Sequence, residues 1–90
     1  MKTIGYRIKE LRKERNLTQK QLSIAINIAQ SSISEWEKNT YEPTATAIKL
    51  LAIFFDVSAD YLLGLEDDLG NKTYINNSFN NFNNSGTFKI

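Results

Sequence analysis

The chain has 90 residues, of which 41% are hydrophobic, and its formal net charge is +1. These values predict one small domain with a modest core, followed by a tail. The absence of Cys and His excludes disulfides and thiolate chemistry and removes the commonest general base and metal ligand. No apolar run reaches the ~18 residues of a membrane span, and the charged N-terminal segment lacks the apolar centre of a signal peptide. We therefore expect a cytoplasmic protein with no metal, cofactor or membrane contact.

The first predicted helix covers about residues 5–15. Ile4, Ile8 and Leu11 recur at helical spacing and give this segment one apolar face. Asn16 follows and ends the helix. The polar positions between the apolar ones are largely Lys, Arg and Glu, so the opposite face is predicted to be charged.

The second predicted helix covers about Gln19–Ile26. Thr18 is a good N-cap, because its hydroxyl can accept a hydrogen bond from a backbone N–H of the first turn. Leu22 and Ile26 lie one turn apart and predict the buried face. Asn27 tolerates the left-handed backbone conformation better than most residues. The pattern therefore predicts a tight turn into a third helix.

The third predicted helix covers about residues 30–38, with Ile33 and Trp36 on its inner face. Ala29 precedes it, where a hydroxyl side chain would supply an N-cap contributing ~1 kcal/mol. The cap is therefore either missing or supplied by a neighbour. The outward positions carry side chains that can hydrogen-bond to base edges: Gln30, Ser31, Ser34 and Glu35.

Two more helices are predicted after the loop that ends at Pro43. Thr44 caps a fourth helix over about Ala45–Phe55. Ser58 caps a short fifth helix over Ala59–Leu63, and Gly64 closes it. The fourth helix is apolar on two sides, so its second side needs a cover. The inward stripe is Ile48, Leu51, Ala52 and Phe55, and the second stripe is Leu50, Ile53 and Phe54.

The last 26 residues form a tail in which seven residues are Asn. This composition alone favours disorder. The tail also carries apolar residues, which favour short β-strands at residues 73–76 and 87–90. We predict that the segment from about residue 73 to residue 90 packs on the second stripe of the fourth helix through Phe79, Phe82 or Phe88. Strand edges left open would pair with a second subunit, which would make the tail part of a dimer interface.

Basic side chains cluster before the third helix. They are Arg7, Lys9, Arg12, Lys13, Arg15 and Lys20. One interpretation is an ordinary solvated helix face, and the other is a surface that attracts phosphates. Because the net charge of +1 is weak for a DNA-binding protein, the placement of these charges matters more than their number.

Three segments together resemble the lambda-repressor/Cro-like (XRE-type) helix-turn-helix family. They are RIKELRKERNLTQKQL, IAQSSISEWEK and EPTATAIKLLAIFFDVSADYLLG, and the resemblance covers residues 4–64. It implies a mainly α fold, with a five-helix DNA-binding domain at residues 1–64. Residues 65–90 then form an Asn-rich tail for dimerisation or partner binding.

The resemblance also implies how DNA would be bound. The third helix would lie in the major groove, with Gln30, Ser31, Ser34 and Glu35 as the base-contacting set. The implied contacts to the DNA backbone come from Thr18, Gln19, Lys20, Ser32, Lys38 and Asn39. In the family, Gln at the positions of Gln19 and Gln30 is a recurrent pair, in which the first braces the second. Glu35 either accepts a hydrogen bond from cytosine N4 or pairs with a nearby Lys.

A structural ion pair is implied as well. Family members often join an Arg late in the first helix to a Glu at the end of the third, which here means Arg12 and Glu37. Such a pair would orient the third helix rather than contact DNA.

The resulting functional prediction is a sequence-specific transcriptional regulator. We expect a repressor that binds a pseudo-palindromic operator as a homodimer, because one copy makes few base contacts. The alternative is an antitoxin-type module whose tail and apolar surface bind a protein partner. An enzyme is not predicted, because the carboxylates form no ligand set with His or Cys and no Gly-rich phosphate loop is present. Asp67 and Asp68 are interpreted as a solvated acidic patch.

Overall fold

The computed structural model describes residues 2–71, which form five helices and no β-strand. They are α1 (Ile4–Glu14), α2 (Gln19–Ile26), α3 (Gln30–Glu37), α4 (Ala45–Phe55) and α5 (Ala59–Leu63). The predicted mainly α, five-helix fold is confirmed, and the bounds of α2, α4 and α5 are as predicted. The strands predicted at 73–76 and 87–90, with Phe79, Phe82 and Phe88, lie outside the described residues.

The predicted bounds of α1 and α3 were wrong by one residue. The first helix begins at Ile4 because Thr3 caps it, with its hydroxyl accepting from the Tyr6 N–H at 3.0 Å. It ends at Glu14, and Arg15 is the C-cap. The third helix ends at Glu37, with Lys38 as its C-cap. Neither Arg15 nor Lys38 gives a clear signal in the sequence for where its helix ends.

Hydroxyl caps begin four of the five helices. Thr18, Thr44 and Ser58 cap α2, α4 and α5 as predicted, each accepting from the backbone N–H three residues on. Thr18 forms a full capping box with Gln21. At the start of α3, Ala29 makes no side-chain cap, and no neighbour replaces it among the hydrogen bonds of residues 2–71. The position of α3 is therefore set by packing rather than by its own first turn.

One face of each helix contributes to the hydrophobic core. Helix α1 packs against α3 and α5, while α2 packs against α3 and α4. Ile33 and Trp36, the predicted inner face of α3, are both buried. The remaining core residues are Ile8, Leu11, Leu22, Ile26, Ala47, Leu51, Phe55 and Leu62. The core thus fixes α3 with its opposite face free, and none of the helices in this part of the chain is long and apolar enough to cross a bilayer.

A close approach between α1 and α3 depends on Gly5. A Cβ built on Gly5 would lie 2.0 Å from the Trp36 carbonyl oxygen and 2.7 Å from the Asn39 Oδ1. The absence of a side chain therefore lets the two helices cross in contact at the end of α3. Nothing in the sequence pattern marks this glycine.

Candidate nucleic-acid interface

Helices α2 and α3 are joined by a tight turn that presents one face of α3 to solvent. Asn27 adopts the predicted left-handed conformation, with φ of 57°, and the Ile28 N–H donates to the Ser23 carbonyl at 3.0 Å. On the outer side of α3, Gln30 and Ser31 are exposed, while Ser34 and Glu35 are half-buried. The predicted base-contacting set therefore shares the face of α3 that the core does not use.

The C-terminal end of α3 is held by a buried carboxylate, that of Glu37. The Arg12 Nε donates to its Oε2 at 2.7 Å, and the Arg12 Nη2 donates to its Oε1 at 2.9 Å. The side chains are 10% and 3% exposed, and the bond to Glu37 raises the pKa of Arg12. Arg12 also donates through Nη1 to the Leu17 carbonyl at 2.7 Å. The pair that the resemblance implied is thus in contact, and it links α1 to the end of α3.

Gln19 joins the same carboxylate. Its Nε2 donates to the Glu37 Oε1 at 3.1 Å, so the first residue of α2 is tied to the last residue of α3. No hydrogen bond between Gln19 and Gln30 occurs among the described residues, whereas the resemblance implied a brace between them. One amide hydrogen of Gln19 is therefore engaged within the protein, and the second remains for an external acceptor.

The other residues implied to contact the DNA backbone are open to solvent in different degrees. Thr18, Lys20, Lys38 and Asn39 are exposed, and Ser32 is half-buried. The Thr18 Oγ accepts from the Gln21 N–H at 3.0 Å, which leaves its O–H free to donate. Asn39 lies in the left-handed region, with φ of 63°. These residues occupy the start of α2, the first turn of α3 and the segment just after α3.

Arg7 and Arg15 have structural partners that neither interpretation of the basic cluster anticipated. The Arg7 guanidinium is buried, with its Cζ 4.3 Å from the centre of the Tyr61 ring. The Arg15 Nη2 donates to the Phe55 carbonyl at 2.9 Å, at the end of α4. With Arg7 and Arg12 buried, the exposed cations of the predicted cluster are Lys9, Lys13, Arg15 and Lys20.

Two observations refine the outer edge of α3. Every ion pair within residues 2–71 involves Lys2, Arg7 or Arg12, so Glu35 is not paired with a Lys there. Tyr41, which is 67% exposed, lines a shallow cleft together with Glu35. No sequence signal singles out this tyrosine, because it lies in a loop outside every motif. Within the described part of the chain, no group of three or more acidic residues is arranged to hold a metal ion.

The comparisons with known proteins agree on one family. A family model described as helix-turn-helix matches residues 8–62. The chain is 44% identical to the uncharacterized HTH-type transcriptional regulator YobD of Bacillus subtilis (strain 168), covering 69% of this chain and 55% of that protein. It is 33% identical to the HTH-type transcriptional regulator ImmR of the same strain, covering 79% of this chain and 61% of that protein. The chain thus spans little more than half the length of these two relatives.

The fold has a solved counterpart. It matches the P22 c2 repressor protein, whose crystal structure is a complex with a synthetic operator, with a TM-score of 0.67 and 30% identity. The match covers 70% of this chain and 96% of the repressor chain. The residues that the family model matches include α2 and α3 and the tight turn between them. The chain therefore belongs to the helix-turn-helix family, of the lambda-repressor type that its three sequence motifs predicted.

Proposed function

We propose that the protein is a sequence-specific DNA-binding transcriptional regulator that acts as a repressor, with α3 in the major groove. The observation that carries this proposal is the division of α3 into two faces. Its inner side is fixed by Ile33, Trp36 and the Arg12–Glu37 pair, while its outer side presents hydrogen-bonding side chains. The B-DNA major groove admits an α-helix and shows a distinct donor and acceptor pattern for each base pair.

The base contacts follow from the chemistry of the outer side. Gln30 can form two hydrogen bonds with adenine, through N6 and N7. Glu35 can accept from cytosine N4, and its lack of a Lys partner within residues 2–71 supports this role over ion pairing. Ser31 and Ser34 have short hydroxyls that donate or accept. Together they form a face suited to specific rather than general binding.

The DNA backbone would be held from both ends of the helix-turn-helix unit. The start of α2 points backbone N–H groups outward, where they favour phosphate, and Thr18, Gln19 and Lys20 add donors there. Lys38, Asn39 and Ser32 would contact phosphates beside α3. The contribution of Gln19 would use its second amide hydrogen, because the first is bound to Glu37.

We also infer a homodimer working in the cytoplasm on a pseudo-palindromic operator. A single α3 offers only four outward side chains, and two copies double the contacts. Residues 1–64 would form the DNA-binding domain, and residues 65–90 would serve dimerisation or a protein partner. Since the named relatives are transcriptional regulators, the regulator has more support than an antitoxin module or an enzyme.

The role of α3 can be tested with Gln30→Ala, using Lys38→Ala as the matched control. The operator is first selected from a random-sequence DNA library with the full chain. We expect Gln30→Ala to cost ~1–3 kcal/mol of binding free energy and to relax the preference at one base position. Lys38→Ala should weaken all sequences alike and reduce the salt dependence by about one phosphate contact. If Gln30→Ala lowers affinity for the operator and for random DNA equally, Gln30 does not contact bases.

The dimer can be tested on the selected operator itself. We expect two half-sites whose centres lie about one helical turn, ~34 Å, apart, and two copies of the chain per DNA in sedimentation. Shifting the half-site spacing by five base pairs should abolish the tight complex, because the two α3 helices would then face opposite sides of the duplex. An operator with one half-site and a one-copy complex would contradict the dimer.

A further inference from the structure

Helix α4 exposes apolar side chains that the core covers only in part. Ile53 is 68% exposed and Leu50 is 36% exposed. Phe54 is half-buried, and its ring meets that of Phe55 edge-on, with the centroids 5.0 Å apart. These residues follow the i, i+3, i+4 spacing of one helix face. A contiguous apolar face of this kind is usually a contact surface.

The chain reverses direction in an acidic turn after α5, at Asp67–Asn71. The Asp67 N–H donates to the Asn71 carbonyl at 2.8 Å. The Asp67 Oδ1 accepts from the N–H groups of Leu69 and Asn71, at 2.9 and 2.8 Å. Gly70 has φ of 86°, a conformation that L side chains rarely adopt. The chain therefore leaves the turn antiparallel to the segment by which it entered.

This acidic turn is anchored to α1 and α5. The Tyr61 hydroxyl donates to the Asp68 Oδ1 at 3.0 Å, and the Lys2 Nζ donates to the Asp68 Oδ2 at 3.5 Å. Both interactions lower the pKa of Asp68, that with Tyr61 most. The buried Arg7 places its Nη1 3.9 Å from the Asp68 Oδ1. Asp68 is thus the charge partner of a guanidinium whose Nε and Nη1 make no hydrogen bond.

The anchored turn lies beside the C-terminal end of α4. The Ser58 hydroxyl, three residues after α4, donates to the Glu66 carboxylate at 2.6 Å. Glu66 and Gly70 line the same depression as Asp56 and Val57, the two residues that follow α4. The described chain therefore ends near the C-terminal end of α4, whose last turn carries Ile53 and Phe54.

We propose that residues 72–90 of the same chain cover the apolar face of α4 formed by Leu50, Ile53 and Phe54. The length suffices, because an 11-residue helix is ~16 Å long and five extended residues span about as much. The side chains suit the face, because this segment carries Tyr74, Ile75, Phe79, Phe82, Phe88 and Ile90. The acidic turn would direct residues 72–90 towards α4, and the apolar face of α4 would be the surface on which they pack.

Thiol labelling of the full chain tests this directly, because the natural sequence has no Cys. The variant is Ile53→Cys, and the matched control is Ile24→Cys, on α2, where the isoleucine is 70% exposed. Each is also made together with Phe79→Ser, Phe82→Ser and Phe88→Ser. We expect a maleimide to label Ile53→Cys several-fold more slowly than Ile24→Cys. The three tail substitutions should remove this difference without changing the rate of the control.

Three other outcomes would overturn the proposal. Equal labelling rates at the two positions would show that the face is open. Slow labelling of Ile53→Cys that survives the tail substitutions would assign the cover to another partner. Protection that increases with protein concentration would assign it to a second copy of the chain.

Discussion

Gly5→Ala should destabilise the protein by about 3 kcal/mol, the largest effect that we expect from adding a single methyl group. Helix propensity alone predicts the opposite sign, since Ala is favoured over Gly by ~1 kcal/mol inside a helix. The added Cβ would lie 2.0 Å from the Trp36 carbonyl oxygen. That oxygen belongs to the backbone of α3, so the two helices must move apart. Packing is lost along their whole contact, and this outweighs the gain in propensity.

Chemical denaturation of the two proteins measures this effect, and Ala25→Gly serves as the control. Ala25 is exposed on α2, so that change should report only the propensity term, a loss of ~1 kcal/mol. The Gly5→Ala protein that remains folded should also bind operator more weakly, because α3 is the helix that we propose to contact bases. A free energy of unfolding equal to or above that of the natural chain would show that α1 and α3 can separate at no cost.

Breaking the Arg12–Glu37 pair from one side should cost more than removing both partners. Arg12→Met leaves a carboxylate that is 3% exposed without its cation, and Glu37→Leu leaves a guanidinium that is 10% exposed without its anion. A lone buried charge of this kind typically costs about 3–5 kcal/mol. The double variant replaces both groups by apolar side chains of similar size, and its loss should be smaller than the sum of the single losses.

A double-mutant cycle by denaturation measures the coupling energy, which we expect to exceed ~2 kcal/mol. The pair Lys2 and Glu10 is the matched control. The Lys2 Nζ and the Glu10 Oε1 are 3.5 Å apart, and the two side chains are 36% and 30% exposed. Exposed pairs of this type couple by roughly 0.2–1 kcal/mol. Similar coupling energies for the two pairs would mean that burial does not strengthen the bond between Arg12 and Glu37.

The helices could be predicted from the sequence because their signals are local. Thr18, Thr44 and Ser58 act within one turn of their own position, and Asn27 adopts its left-handed conformation where two apolar patterns meet. The inner face of α3 could be predicted for the same reason, since Ile33 and Trp36 are one turn apart. The contact between Arg12 and Glu37 came from the family resemblance, because 25 residues separate them and no local pattern joins them.

The features that could not be predicted depend on distances between helices. The role of Gly5 follows from the crossing of α1 and α3, which no spacing in the sequence encodes. Counting charges also says nothing about which arginines enter the core. A guanidinium on a long stem can be buried against a ring, as Arg7 is on Tyr61, or can bond to a helix end and stay exposed, as Arg15 does on α4. Because Arg7 and Arg12 are buried, the exposed positive surface near α3 is smaller than the sequence suggests.

The attachment of α3 through Glu37 has a consequence for how new specificities arise. The carboxylate with three donor contacts lies at the end of the helix, and Ile33 and Trp36 lie in the core, so the residues that attach α3 differ from the four outward residues. If α3 contacts bases as proposed, substitutions at Gln30, Ser31, Ser34 or Glu35 should alter operator choice while the scaffold stays intact. In that mode of binding, recognition and attachment would use separate residues of one eight-residue helix, which would leave the binding preference free to diverge between descendants of the same gene.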